Sequence, residues 1–253
     1  MSSLKTSARY DLVICDVDGC LAPERALPMD VAGLAQVAEH NRRALAERDR
    51  PILTLCTGRP QPFAEAMCRL LQNATVPCVA ENGTWLYQPG TNEYLMDPDI
   101  TPEHLDCVHE ASKLLAQKHA AHGVSQQPGK VASVTLYHPD TDYLQSLMPA
   151  VREEFERRDW PFRVSMTWLY INCDLQHVSK ASGIRRLLAH TGVDPGRTAG
   201  IGDTLSDAPI ADAVALFACP ANASDEIQPR AHYVSPHEEV AGVLDILRHL
   251  AEA

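Results

Sequence analysis

Two carboxylates one residue apart, Asp16 and Asp18, close the apolar run Leu12-Val13-Ile14-Cys15 and are followed at once by Gly19. A strand rich in Val, Ile and Leu suits a sheet buried on both faces. Its carboxyl end is where a doubly wound α/β protein places its chemistry. Two acids crowded there repel each other unless a cation or a shared proton offsets the charge. The pair therefore points to a carboxylate nucleophile beside a metal site. Three further pieces stand at the ends of predicted strands or the starts of predicted helices: Thr57-Gly58, Lys180, and Asp203 with Asp207. Each alone has an ordinary explanation. Thr before Gly often makes a turn, Lys at a helix start is usually solvated, and Asp there caps free N–H groups. Their order is acid-x-acid-Gly, Thr-Gly, Lys, then Gly-Asp-x-x-x-Asp, with each acid on a strand end. Turn and capping preferences alone do not produce that set.

The elements that must carry these residues follow from the hydrophobic pattern. After the acid-tipped strand, Val31, Leu34, Val37, Ala38 and Leu45 fall near helical spacing, which predicts a helix over 31–47. Strands at 51–56 and 77–80 enclose a helix over 61–72, an alternation that reads as a parallel sheet with right-handed crossovers. The rhythm then changes. Residues 84–87 and 92–96 flank Gln88-Pro89-Gly90-Thr91 as a hairpin. A helix over 102–119, an alternating strand over 131–137, a helix over 143–158 and a strand over 162–172 follow. The parallel rhythm resumes with a helix from Lys180 to about residue 190 and strands at 198–201 and 214–218. A short strand at 232–234 and a helix over 238–250 close the chain. The expected fold class is α/β: a Rossmann-like, doubly wound parallel-sheet core from residues 1–83 and 173–253. Residues 84–172 form an inserted α+β cap.

Size and composition agree with a globular chain of this kind. The 253 residues are 45% hydrophobic and 22% charged, which is neither disordered nor membranous. No apolar run reaches the length of a membrane span, and the first nine residues lack the apolar core of a secretory signal. A net charge of −11 argues against general nucleic-acid binding, though a local metal site can still reverse the field for a small phosphorylated ligand. Eight scattered cysteines without a Cys-x-x-Cys pair read as reduced thiols of a cytoplasmic protein. His104-x-x-Cys107 lacks a second ligand pair and reads as chance. His177 reads as a loop hydrogen-bonding residue, and Trp85, Trp160 and Trp168 as core or cap packing.

Asp16-Val17-Asp18-Gly19, Thr57-Gly58-Arg59-Pro60, Lys180 and Gly202-Asp203-Thr204-Leu205-Ser206-Asp207 resemble the four motifs of the haloacid dehalogenase (HAD) superfamily. The resemblance covers the whole chain. The insertion between the second and third motifs is similar to that of the C2B-capped, Cof-like or sugar-phosphatase-like branch. Asn82-Gly83-Thr84 and Cys219-Pro220-Ala221-Asn222-Ala223 fall where that branch carries its Asn signatures. The resemblance implies a Mg²⁺-dependent phosphomonoester hydrolase of a small metabolite, a sugar phosphate by preference. Asp16 would be the nucleophile, forming an aspartyl-phosphate, and Asp18 the general acid and then base. It implies a metal held by the Asp16 carboxylate, the Asp18 backbone carbonyl, Asp203 and Asp207, the last directly or through water. Such an oxygen-only set suits a hard cation. Thr57, Gly58 and Lys180 would hold the phosphoryl group, with Arg59, Asn82 and Asn222 near the ligand.

Two positions depart from the family pattern: Cys20 stands where Thr is usual after Asp-Gly, and Ser206 where this branch has Asn. Neither removes a charge, so catalysis is expected to survive. A sugar phosphomutase using the same aspartate chemistry and a non-catalytic phosphometabolite-binding protein are the competing functions. The expected partner is a small phosphorylated metabolite, with no nucleic acid or membrane, and the expected assembly is a monomer or small homo-oligomer.

Overall fold

The computed structural model describes residues 4–167 and 169–252, so the expectation for Trp168 lies outside the described residues. The first part of the chain runs β1 (Leu12–Cys15), α1 (Val31–Glu47), β2 (Ile52–Leu55), α2 (Gln61–Leu70) and β3 (Cys78–Ala80). It continues through β4 (Trp85–Gln88), β5 (Glu93–Met96), α3 (Pro102–His119), β6 (Ser125–Gln126) and β7 (Ser133–Tyr137). Then come α4 (Thr141–Arg157), β8 (Phe162–Met166), β9 (Tyr170–Leu175), α5 (Lys180–Thr191) and β10 (Thr198–Ile201). The chain closes with α6 (Ala208–Ala213), β11 (Leu216–Cys219), β12 (Tyr233–Val234) and α7 (Glu239–Glu252).

Five strands make a parallel sheet in the order β12-β11-β10-β1-β2. Strand β1 lies inside it, paired in register with β10 and β2, Cys15 opposite Ile201 on one side and Leu55 on the other. The chain leaves β1 toward β2 and returns later to β10 on the opposite side. A crevice therefore opens at the carboxyl ends of β1 and β10. Leu12, Val13, Ile14 and Cys15 are wholly buried, as helices on both faces require, each aliphatic side chain contributing about 1.5–3 kcal/mol of burial. Helix α1 begins where Asp30 accepts a bond from the Gly33 N–H, a cap worth about 1 kcal/mol. Buried Asn41 bolts it to the sheet: its amide donates to the Leu53 and Leu71 carbonyls and accepts from the Leu53 N–H.

Strand β3 is not a rung of the parallel ladder. One bridge, Cys56 to Val79, joins it to the end of β2, and its own partner is β4, antiparallel, with β5 beyond. Side chains of this hairpin pack with the parallel-sheet body: Trp85 and Tyr87 in one apolar cluster, Leu86 and Leu95 in another.

Residues from about Ile100 to Val178 build a separate apolar cluster beneath a four-stranded antiparallel sheet ordered β6-β7-β9-β8, with α3 and α4 packed on it. The stretch read from sequence as one strand over 162–172 is two strands, β8 and β9, paired antiparallel with Met166 opposite Ile171. No Gly, Pro, Asn or Asp marks the turn between them. All eight cysteines are free, seven of them buried. No helix among the described residues is long and apolar enough to cross a membrane.

Candidate active site

Strand β1 ends by delivering Asp16, whose N–H still donates to the Ile201 carbonyl of β10 at 3.0 Å. The chain then coils tightly, with the N–H groups of Cys20, Leu21 and Ala22 all donating to the Val17 carbonyl. Gly19 sits in that coil at φ 77°, and a Cβ on it would lie 1.9 Å from Oδ2 of Asp203. The acid loop and the end of β10 are thus in direct contact. Asp16, Asp203 and Asp207 each offer a carboxylate oxygen, and these three oxygens lie within 4.8 Å of one another. All three residues are buried.

Lys180 enters this cluster from the first position of α5, a helix start fixed by the reciprocal capping of Ser179 and Ser182. Its ammonium contacts Oδ1 of Asp16 at 3.0 Å and Oδ1 of Asp207 at 2.6 Å. The other oxygen of Asp207 accepts the N–H groups of Asp203 and Thr204 at 3.0 and 3.2 Å. Burial, with Asp207 alongside, pushes the Asp16 carboxyl well above the usual carboxylate range despite Lys180. Asp203 is driven the same way by burial, then by Asp16 and Asp207. Burial opposes the charge on Lys180, but Asp16 and Asp207 outweigh it and hold the ammonium protonated. One cation faces three buried acids. That uncompensated negative charge, on oxygen donors alone, fits a hard divalent cation held by Asp16, Asp203 and Asp207.

Asp18 is not a member of the three-acid cluster. Its side chain, expected to act as general acid and then base, is gripped by the Arg59 guanidinium, with Nε at 2.9–3.0 Å and Nη2 at 2.5 Å. Arg59 also lies over the Phe63 ring. Thr57 is wholly buried after β2, its N–H bonded to the Val79 carbonyl and its hydroxyl oxygen accepting from the Arg59 N–H at 3.0 Å. Asn82 donates to Oδ2 of Asp174 at 3.1 Å. Asn222 donates to the Gly19 carbonyl and accepts from the Glu239 N–H, both at 2.8 Å, which makes it a brace of the acid loop. Cys20 is buried, and Ser206 shares a hydroxyl contact with Thr204 at the rim.

Asp16, Asp18, Gly58, Arg59, Asn82, Lys180 and Asp203 all line one cavity of about 590 Å³. Its far wall comes from the four-stranded sheet. Tyr170, Asn172 and Asp174 alternate along β9 toward the cavity, with Arg163 and Ser165 beside them on β8. Ile171, Cys173 and Leu175 point the other way, into the apolar cluster. That period-two pattern was readable in the sequence. Lys130 was not. It reaches across from the loop before β7 to the Gly58 carbonyl at 2.7 Å, 72 residues away in the chain. Burial pulls its pKa down while Asp174 and Glu81 oppose the shift. Glu24 adds another half-buried acid at the cavity edge, its carboxyl raised by burial and then by Asp18.

Comparison with known proteins bears on the family and the fold. A family model for haloacid dehalogenase-like hydrolases matches residues 124–247, a span that holds Lys180, Asp203 and Asp207. A phosphoglycolate phosphatase of Methanopyrus kandleri is 25% identical over 244 residues, covering 95% of this chain and 97% of the relative. The crystal structure of Thermoplasma acidophilum 0175 superposes with a TM-score of 0.73 at 20% identity, covering 94% of this chain and 97% of that one. A haloacid dehalogenase-like hydrolase of Bacteroides thetaiotaomicron gives 0.70 at 16% identity, covering 95% and 99%. Fold, motif order and the family model over residues 124–247 all liken this chain to the haloacid dehalogenase-like hydrolases.

Proposed function

We propose that this chain is a Mg²⁺-dependent phosphatase that hydrolyses a small phosphorylated metabolite through an aspartyl-phosphate on Asp16. One observation carries the reading: the Asp16 carboxylate stands at the cavity floor with Lys180 at 3.0 Å and the acids Asp203 and Asp207 beside it. A bound Mg²⁺ would neutralise the crowded carboxylates and withdraw charge from the phosphoryl oxygens. The chain's own groups do the rest. Asp16 attacks phosphorus while the bond to the leaving oxygen breaks, and Asp18 supplies the proton that oxygen takes up. Asp18 then accepts a proton from water as the water oxygen attacks phosphorus, and Asp16 is regenerated.

For the first proton transfer Arg59 must release Asp18, and a phosphoester dianion is the group that draws the guanidinium away. Lys180 meets the phosphoryl oxygens from the cavity floor and Gly58 from the side, while Thr57, wholly buried and off the cavity surface, holds the Arg59 N–H through its hydroxyl. Residues from about 97 to 178 act as the cap, and the hairpin of β4 and β5 stays with the body it packs on. The hydroxyls and amide of Ser165, Thr167, Tyr170 and Asn172 on the cavity wall suit the leaving group of a sugar phosphate. A second candidate is a carboxylated ester such as the phosphoglycolate of the Methanopyrus relative, since Lys130 and Arg163 supply cations on the same wall.

Release of inorganic phosphate is measured across sugar phosphates, phosphoglycolate, phosphoglycerates, nucleotides and pyridoxal phosphate, with and without Mg²⁺. Mg²⁺-dependent release from at least one ester, abolished by Asp16→Asn, is expected. Ligand binding without turnover, or isomerised ester without free phosphate, overturns the reading.

A further inference from the structure

Glu81 is a charged residue that none of the motifs above employs, and it is wholly buried. It opens a single turn of 3-10 helix after β3, and both it and Asn82 adopt left-handed backbone, φ 49° and 53°. Side chains rarely accept that conformation, and two in succession mark a segment held by its surroundings. The backbone of the turn is stitched to the loop after β2: Glu81 N–H to the Arg59 carbonyl at 2.9 Å, Asn82 N–H to the Thr57 carbonyl at 3.1 Å.

The side chain faces the opposite way, toward the four-stranded sheet. Oε1 accepts from the N–H groups of Val131 and Ala132, both at 2.8 Å, and from the Ser133 hydroxyl at 2.9 Å. Oε2 has no hydrogen-bond partner among the described residues. The loop gathered by this one oxygen is the loop that carries Lys130, whose ammonium bonds the Gly58 carbonyl at 2.7 Å. Glu81 therefore joins two things that the sequence keeps far apart: the Thr57–Arg59 loop of the cavity floor and the lysine of the cavity wall.

We propose that Glu81 is a positioning residue that seats the loop 128–133 on the body of the protein and so delivers the Lys130 ammonium to the substrate cavity. The contact with substrate belongs to Lys130, and Glu81 acts through it. What the cavity binds rests on the phosphatase reading above, whereas the seating of the loop does not. A carboxylate suits the task because three donors converge on one point, and bonds to a charged acceptor are stronger than bonds to a neutral one. Asn82 supplies a second tie through Asp174, so loss of Glu81 frees the loop without detaching the whole sheet.

Two measurements on the full chain test this. Amide hydrogen exchange at Val131 and Ala132 should accelerate about tenfold or more in Glu81→Ala, the size expected for losing buried bonds to a charged group. Helix α3 and strand β1 should exchange as in the wild type. Glu81→Gln keeps an acceptor and should restore most of the protection. With p-nitrophenyl phosphate as the probe, Glu81→Ala should raise KM about tenfold with kcat altered less than about threefold. Lys130→Met should raise KM similarly while leaving exchange at 131 and 132 unchanged. Unchanged exchange in Glu81→Ala, uniform loosening of every cap element, or an unaltered KM in Lys130→Met each overturns the proposal. A wild-type protein without phosphatase activity removes the functional reading, and the exchange result then decides the seating alone.

Discussion

Gly19→Ala is the sharpest single perturbation of the acid cluster, because it adds one methyl group and replaces none of the proposed ligands. The new Cβ would stand 1.9 Å from Oδ2, 2.4 Å from Cγ and 3.0 Å from Oδ1 of Asp203. An ordinary carbon–oxygen contact is longer by about 1 Å or more, so the carboxylate has to move by that amount. Backbone strain adds to this, since alanine at φ 77° costs about 1–2 kcal/mol in the left-handed region. The net loss of stability is about 1–3 kcal/mol. Misplacing a group of the reacting constellation by 1 Å costs about 10²-fold in rate. The assay is phosphate release as a function of Mg²⁺ concentration, with thermal unfolding measured in parallel. A weakened Mg²⁺ response together with the rate loss is expected, because Asp203 is both the residue displaced and a proposed ligand. Wild-type activity with a wild-type Mg²⁺ midpoint in Gly19→Ala would refute the geometry from which Asp203 is assigned to the site.

Asp16→Asn should reduce turnover by about 10⁴-fold or more and leave the far-ultraviolet circular dichroism unchanged; retention of activity would sink the nucleophile assignment. Chelation with EDTA should abolish phosphate release and Mg²⁺ should restore it, whereas chelator-resistant activity would contradict the cation reading. In the cap, Lys118 and Arg158, with Arg157 behind them, hold the Glu154 carboxyl down to about 2, against an ordinary value of 4.5. A depressed carboxylate contributes stability that is complete above the ordinary value and is lost as pH falls through the folded value. Acid unfolding followed by fluorescence of Trp160, which stacks on Arg158, should therefore begin at higher pH in Glu154→Gln. Coincident acid transitions would show that the cluster does not couple to cap stability.

The parts of the site that sequence displays are those built from local pattern. Asp16 and Asp18 could be placed on a strand tip because Leu12-Val13-Ile14-Cys15 allows no other reading, and α1 and α3 begin and end where their periodicity does. The division of residues 162–175 into β8 and β9 was hidden, since Ser165, Met166 and Thr167 carry no turn signal and the reversal is fixed by pairing in the finished sheet. Strand β3 looks like a parallel strand because its apolar run has no direction of its own; the hairpin that follows supplies its partner. Pairings between distant residues were equally invisible. Arg59 with Asp18, Lys130 with Gly58, and Asn222 with Gly19 each join side chains or backbone that the chain brings together only when folded.

Strand β9 divides its residues between two unrelated duties. Ile171, Cys173 and Leu175 hold the cap together, whereas Tyr170, Asn172 and Asp174 meet whatever enters the cavity. Because the two sets alternate, a substitution in the second leaves the first untouched. A change at Tyr170 or Asn172 therefore reshapes the cavity wall, at the expense of the Tyr137 ring contact or the Thr135 hydroxyl bond, without removing an apolar contact from the cap. Asp174 is the wall residue with a tie across to the body, through Asn82, and an ion pair along the sheet, to Arg163, so a change there alters how the wall is held as well as what it presents.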